Sequence, residues 1–567
     1  MGQMQTLTID GIPMEINGEK NLLELIRKAG VELPTFCYYS ELSIYGGCRM
    51  CMVETGKGVE AACSTPPKAG MEIRTNTERL RKYRRMILEL LLSNHCRDCT
   101  TCSYSGKCKL QDLARRFNIR DVRFPNTSPT PQIDASSPCI TRDQSKCILC
   151  GDCVRMCDEV QNVGAIGFAR RGSKMSISTA FNVPLAGSPC VGCGQCAAVC
   201  PTGAIIVKND VSEVWKALDD KSAKVSVQIA PAVRVALGKE FGIHNGETIM
   251  GRIVAVLHRI GFEEVYDTST AADLTVLEEA GELITRLEDG ADMPLFTSCC
   301  PAWVQYCEKK YPELLPHVST CRSPMQMFAS VVKEQGRYSS RRAVHVAVMP
   351  CTAKKFEAAR GEFRTDGVPN VDFVLTTQEL VQMIRESGIS FSELEPEAVD
   401  MPFGTITGAG VIFGVTGGVT EAVLRRVSTD KSQTALKSIA YTGVRGMEGV
   451  KEASVPYGGK TLRIAVVSGL GNAGKLIKRI KDGERFDLVE VMACPGGCVA
   501  GAGQPFAAFE EKEARGKGLY AADKLCNIRR SEENPLMMAL YNGLLKGRVH
   551  ELLHVEYGKT GREEQHG

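Results

Sequence analysis

The amino-terminal residues alternate between apolar and polar positions in a way that predicts a strand pair followed by a helix. Residues 4–16 switch face at each step, and Asp10-Gly11 supplies a two-residue turn, a combination typical of a β-hairpin. Leucine and isoleucine then recur within residues 21–29 on one face of a short amphipathic helix, which Gly30 ends. The chain therefore begins with a small β-rich domain.

Longer patterns predict helices in the front half and a sheet in the rear half. Residues 78–92 are rich in Arg and Leu, and residues 275–290 also follow a helical pattern. From about residue 222 the chain changes to long apolar runs. Three runs predict buried strands that end at cysteine or glycine motifs, as strands of parallel sheets do. They are residues 224–237, where the strand runs into a helix, 343–351 and 463–471.

Residues 408–418, GAGVIFGVTGG, form a glycine-rich segment that we interpret as a strand or loop. A phosphate-binding loop would need a following Lys-Ser/Thr pair or the spacing G-x-G-x-x-G, and the segment has neither. Close packing of the backbone against a cofactor is the favoured interpretation. The sequence has no flavin or nicotinamide fingerprint, so any NAD(P) that is used must bind another chain.

Composition sets the broad class. A chain of 567 residues exceeds the size of a single core, so we expect several domains. Apolar residues make up 43% and charged residues 24%, and the net charge of +3 favours neither nucleic acid nor an anionic membrane as partner. No apolar run is long enough to span a bilayer, and the first residues lack a signal-peptide pattern, so we expect a cytoplasmic protein.

The 25 cysteines indicate a metalloprotein, because long chains use cysteine for metal more often than small secreted ones do. The first group, Cys37, Cys48, Cys51 and Cys63, has the spacing C-x10-C-x2-C-x11-C, which suits an iron–sulfur cluster held on loops. A structural zinc is the alternative, although zinc sites usually pair two close doublets.

The second group includes a histidine. His95, Cys99, Cys102 and Cys108 have the spacing H-x3-C-x2-C-x5-C, and an imidazole can replace a thiolate at iron. Cys96 falls outside this spacing, so we do not count it as a ligand.

Two further runs have the C-x2-C-x2-C-x3-C spacing of bacterial two-cluster ferredoxins. The first run supplies Cys147, Cys150, Cys153 and Cys157. The second run supplies Cys190, Cys193, Cys196 and Cys200. In such runs the fourth cysteine binds the other cluster, so we pair the first three of each run with the last of the other.

Three cysteine blocks follow in the rear half: TSCCPAW, MPCTAKKFE and EVMACPGGCVAGAGQP. Cys300, Cys351, Cys494 and Cys498 provide four thiolates, enough for one 4Fe–4S cluster. Cys299 precedes Cys300 directly, and successive side chains diverge, so one of the two is left as a free thiol that can exchange a proton.

Together these blocks resemble the signature motifs of the iron–iron hydrogenases, and the front half resembles the iron–sulfur domains of many hydrogenases and of a large complex I subunit. The resemblance implies one 2Fe–2S cluster, three accessory 4Fe–4S clusters and an H-cluster. In the H-cluster a 4Fe–4S unit shares Cys498 with a two-iron subsite that carries CO, cyanide and azadithiolate. The implied reaction is 2 H⁺ + 2 e⁻ ⇌ H₂.

The resemblance also implies a proton path. Cys299 exchanges protons with the bridging amine, and Glu279, Glu282, Ser319 and Arg286 lead from it to the surface. Taken alone, the Glu/Glu/Arg face of a helix is more often a solvated, salt-bridged surface.

Three more residues are assigned by the same resemblance. Lys354 is expected to donate to a cyanide nitrogen, and Met349 and Met492 to pack against the two-iron subsite. A solvated surface lysine and two ordinary core methionines are the alternatives.

The expected fold is multidomain, α+β in the front half and α/β in the rear half, with a β-grasp 2Fe–2S domain and a two-lobed H-cluster domain. The segments are a 2Fe–2S domain at 1–78, a histidine- and cysteine-ligated 4Fe–4S domain at 79–121, a linker at 122–138, a two-cluster 4Fe–4S ferredoxin domain at 139–210, and the H-cluster domain at 211–567. The cysteines outside these sets, Cys96, Cys139, Cys307, Cys321 and Cys526, are interpreted as ordinary buried thiols.

Five positions depart from the common single-chain pattern: Ala232, Ala302, Met325, Ala502 and Cys321, an extra thiol beside Ser319. They resemble the catalytic subunits of multimeric NAD(P)-linked, electron-bifurcating hydrogenases. That type implies ferredoxin, flavin- and NAD(P)-binding partner subunits and maturation enzymes as partners. The alternative is a single-chain ferredoxin-dependent hydrogenase. A complex I subunit, a hydrogenase-like iron–sulfur assembly factor and a sensor are disfavoured, since they would lack the cysteine blocks, the proton thiol or the full front half.

Overall fold

The computed structural model describes residues 5–126, 132–337, 340–428, 430, 432, 438–439 and 443–558. Residues 127–131 of the predicted linker lie outside this range. The chain forms two compact units. The first comprises Met1–Val160, Gly164–Ser188 and Cys196–Ile206, and the second comprises Gln161–Val163, Pro189–Gln195 and Val207–Gly567. Among the described residues, none of the helices has the length and apolarity needed to cross a membrane.

The first unit opens with the predicted hairpin. Thr6–Ile9 pairs antiparallel with Ile12–Glu15, and Asp10 and Gly11 turn the chain with φ of 50° and 84°. Glu72–Ile73 adds a third strand, parallel to the first. The alternating pattern is thus confirmed as a hairpin that forms part of a three-stranded sheet.

Both predicted helices of this unit are confirmed. Leu22–Lys28 buries its Leu and Ile side chains, and the Asn21 side chain accepts a hydrogen bond from the Glu24 N–H at its start. Glu78–Ser93 is capped in the same way by Thr77.

The rest of the first unit consists of short elements that surround its cysteines. Its further strands are Met52–Thr55, Gly58–Ala61, Ile133–Asp134, Ile140–Asp143, Gly167–Ala169, Ser176–Ser178 and Ile205–Val207. Its further helices are Lys109–Arg116 and Asp152–Arg155, the latter followed by a π-helical turn at Met156–Val160. Gln195–Ala198 is another short helix of the chain.

The second unit contains two four-stranded sheets. The first is wholly parallel, in the order Glu264–Asp267, Ala223–Ile229, Arg342–Met349 and Phe373–Thr376. The predicted strands at 224 and 343 are therefore confirmed as neighbours at its centre. After the first of them the chain continues into a 3₁₀ helix rather than an α-helix, at Pro231–Val235.

The second sheet is mixed. Leu295–Phe296, Leu488–Met492 and Lys460–Ser468 are parallel, and Val450–Tyr457 is an antiparallel edge strand. The predicted strand at 463 is confirmed within Lys460–Ser468.

Helices surround both sheets, and the predicted helix at 275–290 is confirmed within the longest of them, Ser269–Asp289. The others are Val211–Asp219, Met250–Ile260, Pro301–Lys310, Pro324–Gln335, Ala353–Ala359, Thr377–Ser387, Gly408–Val411, Gly418–Val427, Leu470–Lys481, Phe509–Leu525, Pro535–Asn542 and Val549–Leu553.

The prediction of a strand or loop at 408–418 is wrong for residues 408–414, and a loop is present only at residues 415–417. The segment is helical at Gly408–Val411, and Thr407 caps this helix by accepting from the Gly410 N–H. A Cβ atom on Gly410 would lie 2.3 Å from the Ser269 carbonyl oxygen. Gly410 therefore permits the close approach of two backbone segments. A glycine that serves such packing inside a helix looks the same in the sequence as a glycine in a loop.

We expect Gly410→Ala to lower the free energy of unfolding by about 1–3 kcal/mol, because the new methyl group meets backbone that cannot rotate away. Gly281→Ala is the matched control. Gly281 is exposed within Ser269–Asp289 with open space around it, so alanine should raise stability there by up to about 1 kcal/mol. Denaturant unfolding measures both, and a Gly410→Ala protein as stable as the wild type would contradict the packing argument.

Candidate metal centre

Each of the three cysteine blocks follows the carboxyl end of a parallel strand in the second unit. TSCCPAW comes after Leu295–Phe296, MPCTAKKFE begins at the end of Arg342–Met349, and the last block begins within Leu488–Met492. The carboxyl ends of parallel strands are where α/β folds collect their functional groups. The two sheets thus deliver three distant segments to one site.

The four predicted ligands lie close enough to perturb one another. Burial raises the pKa of Cys494 well above its usual value, and Cys351, Cys300 and Cys498 raise it further. Burial and then Cys300 raise the pKa of Cys351 to about 12. Without metal these thiols are dehydrated and neutral, and a metal that binds thiolates would replace their protons.

The backbone around these thiols is shaped for close packing. Gly496 and Gly497 adopt φ of 94° and 86°, and a Cβ atom on Gly497 would lie 2.5 Å from the Thr416 nitrogen. The Cys300 sulfur accepts a hydrogen bond from the Ala493 N–H at 3.4 Å. Such backbone donors stabilise thiolate sulfur.

Within the described ranges, no three His, Cys, Asp or Glu side chains are arranged to bind a single metal ion. A cluster makes a different demand, since each thiolate binds its own iron atom and the sulfurs stand farther apart. Four converging cysteines fit a 4Fe–4S cluster in number and in ligand chemistry.

Lys354 is buried beside the cysteines and is not a solvated surface lysine. Only 8% of its surface is exposed, and its Nζ lies 3.3 Å from the Cys299 carbonyl oxygen and 2.7 Å from Glu357 Oε2. Burial lowers its pKa, but Glu357 more than offsets this, so the net shift is upward. The site therefore contains a fixed cation.

Met349 and Met492 are buried, with 2% and 3% of their surface exposed. Each ends a central strand of one sheet, two positions before Cys351 and Cys494 respectively. Their location beside the cysteines follows from this register, and a role against a cofactor stays a prediction.

Cys299 and Glu279 form the inner end of the predicted proton path. Burial raises the pKa of the Cys299 thiol far above its usual range, and Glu279 adds to the shift. Glu279 Oε1 accepts from the Ser298 N–H at 3.3 Å, while its Oε2 is buried without a hydrogen-bond partner in the part of the chain described. Burial raises the pKa of Glu279 to about 8, so this carboxyl group holds a proton at neutral pH.

The Glu282 carboxylate accepts three hydrogen bonds. Its Oε2 accepts from the Ser319 hydroxyl at 2.8 Å and from the Thr320 N–H at 3.1 Å, and its Oε1 accepts from Arg286 at 2.9 Å. Arg286 also donates to the Pro316 carbonyl at 3.1 Å and has 18% of its side chain exposed. The structure thus joins Ser319, Glu282 and Arg286 into one connected group that reaches solvent.

Sequence reasoning missed one residue beside this group and gave another no role. Thr320, which was missed, supplies a backbone donor, and Cys321, noted from the sequence as an extra thiol beside Ser319, lies next to the path. Burial, Glu279 and Glu282 raise the pKa of Cys321, while a hydrogen bond with Ser319 opposes the shift. Neither residue belongs to a recognisable spacing, so their position depends on tertiary structure.

In the first unit the four amino-terminal cysteines come together. The Cys48 N–H donates to the Cys37 sulfur at 3.3 Å, and competition between these thiols for a proton lowers the pKa of Cys48 to about 6. Cys63 lowers the pKa of Cys51 in the same way, and the pKa of Cys63 is raised in part by Cys37 and Cys48. This grouping is what a cluster needs.

The histidine-containing group is also compatible with iron. After burial, Cys102 adds to the raised pKa of Cys99, and Cys102 and Cys99 both add to the raised pKa of Cys108, so these three lie close together. His95 is 7% exposed, and its Nε2 is buried with no hydrogen-bond partner among the described residues. An unpaired imidazole nitrogen in the interior is the atom that a cluster iron would take. The Cys96 sulfur lies 3.8 Å from the other ring nitrogen.

Cys147, Cys150, Cys153 and Cys200 line one largely apolar pocket of the first unit. This is the set that the crossed ferredoxin spacing predicts. Burial raises the pKa of Cys147 to about 11, and Cys200 contributes to the shift.

Of the other ferredoxin set, Cys157 and Cys196 belong to the first unit and Cys190 and Cys193 to the second. Within the second unit Cys193 contributes to the raised pKa of Cys494. Cys193 is therefore adjacent to the four-cysteine site.

Comparison with protein families matches almost every part of the chain. The profile described as "Iron only hydrogenase large subunit, C-terminal domain" matches residues 223–502, and "Iron hydrogenase small subunit" matches 509–560. The front half matches "2Fe-2S iron-sulfur cluster binding domain" at 2–78, "NADH-ubiquinone oxidoreductase-G iron-sulfur binding region" at 84–123 and "4Fe-4S dicluster domain" at 146–204. From the sequence, residues 509–560 were included in the H-cluster domain, and no separate small-subunit region was predicted.

Individual known proteins are also similar to this chain, over part or nearly all of its length. NADP-reducing hydrogenase subunit HndD of Solidesulfovibrio fructosivorans is 41% identical, over 99% of this chain and 100% of that protein. Iron hydrogenase 1 of Clostridium pasteurianum is 34% identical, over 98% and 100%. A solved variant of apo [FeFe]-hydrogenase HydA1 from Chlamydomonas reinhardtii is 37% identical, covers 62% of this chain and 99% of that one, and has a TM-score of 0.53.

The raised pKa of Glu279 predicts a pH-dependent stability. Between the usual carboxyl pKa of 4.5 and about 8, the folded chain keeps a proton that the unfolded chain releases, so the free energy of unfolding falls as pH rises. Glu279→Gln lacks this contribution. We therefore expect its melting temperature, relative to wild type, to be higher at pH 8 than at pH 5.

The matched control is Glu288→Gln, which changes an exposed glutamate on the same helix and should show a pH-independent difference. Thermal unfolding at both pH values, with equal iron content, gives the comparison. An equal difference for Glu279→Gln at pH 5 and pH 8 would show that this carboxyl group is not held protonated.

Proposed function

The chain belongs to the iron–iron hydrogenases, which interconvert H₂ with protons and electrons, and we propose that it is the catalytic subunit of a multimeric NAD(P)- and ferredoxin-linked enzyme of this kind. The observation that carries the assignment of the site is the convergence of four cysteines, two buried and two partly buried, with a further thiol, Cys299, near Glu279. An electron-transfer protein needs the cluster but has no use for the adjacent proton carriers.

Cys300, Cys351, Cys494 and Cys498 would hold the H-cluster, with Cys498 shared between its two parts. When bound, this cofactor supplies the iron centre at which H₂ is made or split. Lys354 contributes a buried positive charge that suits the anionic cyanide ligands, and Glu357 keeps that charge in place. The buried side chains of Met349 and Met492 exclude water from the neighbouring space.

Protons move through groups of this chain. The Cys299 sulfur gives up or receives a proton at the site, and Glu279, which carries a proton at neutral pH, exchanges with it. Ser319 and Glu282 continue the path, since the hydroxyl donates directly to the carboxylate. Arg286 fixes Glu282 at the outer end, where part of its side chain meets solvent.

Electrons would travel along four accessory clusters held by the front half: one 2Fe–2S cluster in a β-grasp domain, one 4Fe–4S cluster with a histidine ligand, and two in a ferredoxin domain. The segment bounds given above from the sequence are retained for these domains, whereas Ile133–Asp134 of the linker pairs with Ile140–Asp143 and belongs to a sheet. Support comes from the grouped cysteines, the unpaired His95 Nε2 and the pocket that Cys147 and its partners line.

The multimeric, electron-bifurcating type is supported by the full-length relative named as a subunit of an NADP-reducing hydrogenase. Because the sequence has no nucleotide fingerprint, we propose that flavin and NAD(P) bind partner subunits in the cytoplasm, with ferredoxin as a further partner. The variant residues Ala232, Met325 and Ala502 are each buried, with 1% of their surface exposed, in keeping with a changed packing around the site. A single-chain ferredoxin-dependent enzyme is the second candidate, since Iron hydrogenase 1 is also similar over the full length.

We expect Cys299→Ala to lower turnover at least about 100-fold, because the site loses the thiol that exchanges protons, while the ligands are unchanged. Cys307→Ala is the control, since Cys307 is a fully buried thiol on the adjacent helix. It should keep both iron content and turnover. H₂ uptake and iron analysis of the matured proteins test this, and activity retained in Cys299→Ala would remove this thiol from the path.

The purified chain alone should reduce a small viologen dye with H₂ but should not reduce NAD⁺ or NADP⁺. The physical reason is that the sequence offers no site for a nicotinamide or a flavin. The two assays on one preparation, with flavin analysis, separate the alternatives. Direct nicotinamide reduction by the flavin-free chain would overturn the assignment of that step to a partner subunit.

A further inference from the structure

The carboxy-terminal segment 551–555 runs beside the proton path. The Val555 N–H donates to the Thr320 carbonyl at 2.7 Å, and the Arg322 N–H donates to the Leu553 carbonyl at 2.8 Å. These two bonds frame an antiparallel bridge between Cys321 and His554. The segment lies within the region that matches the small-subunit profile.

The His554 imidazole strengthens this contact through both ring nitrogens. Nδ1 lies 2.9 Å from Thr320 Oγ1, and Nε2 lies 2.9 Å from Glu278 Oε2. Glu278 is itself held by the Tyr541 hydroxyl, and the His554 side chain is only 12% exposed. The ring is therefore fixed in one orientation against Thr320.

On the side away from His554, Ser319 and Thr320 present two hydrogen-bond donors to Glu282. The Ser319 N–H donates to the Phe296 carbonyl at 2.8 Å, while the Ser319 hydroxyl and the Thr320 N–H both donate to Glu282 Oε2. Residues 319–321 are thus held between the strand of Phe296 and the carboxy-terminal segment. If either support is lost, the two donors can move relative to the carboxylate.

We propose that His554 is a positioning residue for proton transfer: by holding Thr320 it keeps Ser319 aligned with Glu282. The inference rests on the proton path proposed above and adds the small-subunit region to it. A transfer between a hydroxyl and a carboxylate requires hydrogen-bond contact, so small displacements of Ser319 slow the step. His554 neither contacts the cofactor site nor carries the proton itself.

Three variants test the proposal in the matured chain. His554→Ala and Thr320→Val each remove the side-chain contact, and each should lower turnover about fivefold, as expected for the loss of one hydrogen bond. The solvent deuterium isotope effect on turnover should rise, while iron content and the KM for H₂ should not change. The double variant should be no slower than either single variant, since both remove one interaction.

His550→Ala is the matched control, because it removes the imidazole that stacks on His554 at 5.2 Å without removing the bond to Thr320. It should keep wild-type turnover. His554→Asn, which keeps a polar atom near the position of Nδ1, should recover part of the rate.

Amide hydrogen exchange gives a readout that does not depend on a loaded cofactor. In the metal-free chain, His554→Ala should speed exchange at residues 319–322 and leave Ser269–Asp289 unchanged, whereas His550→Ala should do neither.

Glu282→Gln separates the two levels of the argument. If Glu282→Gln slows turnover while His554→Ala changes neither rate nor isotope effect, the positioning role is wrong and the path stands. If Glu282→Gln also has no effect, the path itself is wrong and this inference with it. A rate loss in His554→Ala that only follows lost iron or a lower melting temperature, with a normal isotope effect, would likewise overturn the positioning role.

Discussion

The structure depends on bringing four thiols together in a mostly dry interior, with Cys300 and Cys494 buried and Cys351 and Cys498 partly buried. A buried thiolate is costly unless a cation or metal compensates for its charge, and here burial raises the pKa of Cys494 and Cys351 so that each keeps its proton in the metal-free chain. Metal binding must therefore release protons and contributes directly to the stability of this domain. The two parallel sheets make the enclosure possible, because their strand ends bring the cysteine blocks together without a long exposed loop.

The same dry interior prepares the proton carriers. Glu279 is protonated at neutral pH because burial outweighs its one hydrogen bond, from Ser298. Glu282, one helical turn farther along Ser269–Asp289, is surrounded by donors instead. Two carboxyl groups on one helix thus have different environments, one poor in hydrogen-bond donors and one surrounded by them.

Much of this could be predicted from the sequence, because local patterns and cysteine spacing carry that information. The hairpin, the main helices and the buried strands follow from periodicity, and the crossed set of Cys147 and Cys200 follows from ferredoxin spacing. The helical form of 408–414 did not, because its glycines serve contacts with backbone distant in sequence. The contacts of Thr320 with Glu282 and with His554 were also beyond reach, since residues 38 and 234 positions apart share no local pattern.

The proposed proton path and the proposed accessory clusters would give the two charges separate routes to the four-cysteine site. Cys193 adds to the raised pKa of Cys494 and so lies beside that cysteine, whereas Glu279 and Cys498 both add to the raised pKa of Cys299. An electron arriving alone in a low-dielectric site leaves an uncompensated charge, and a proton arriving alone does the same. The electrostatic cost would be smallest when each electron that reaches the four-cysteine site from the accessory clusters is accompanied by a proton delivered through Cys299. The carboxy-terminal segment that holds Thr320 then matters for the whole reaction, because a misplaced Ser319 would delay the proton and with it the electron.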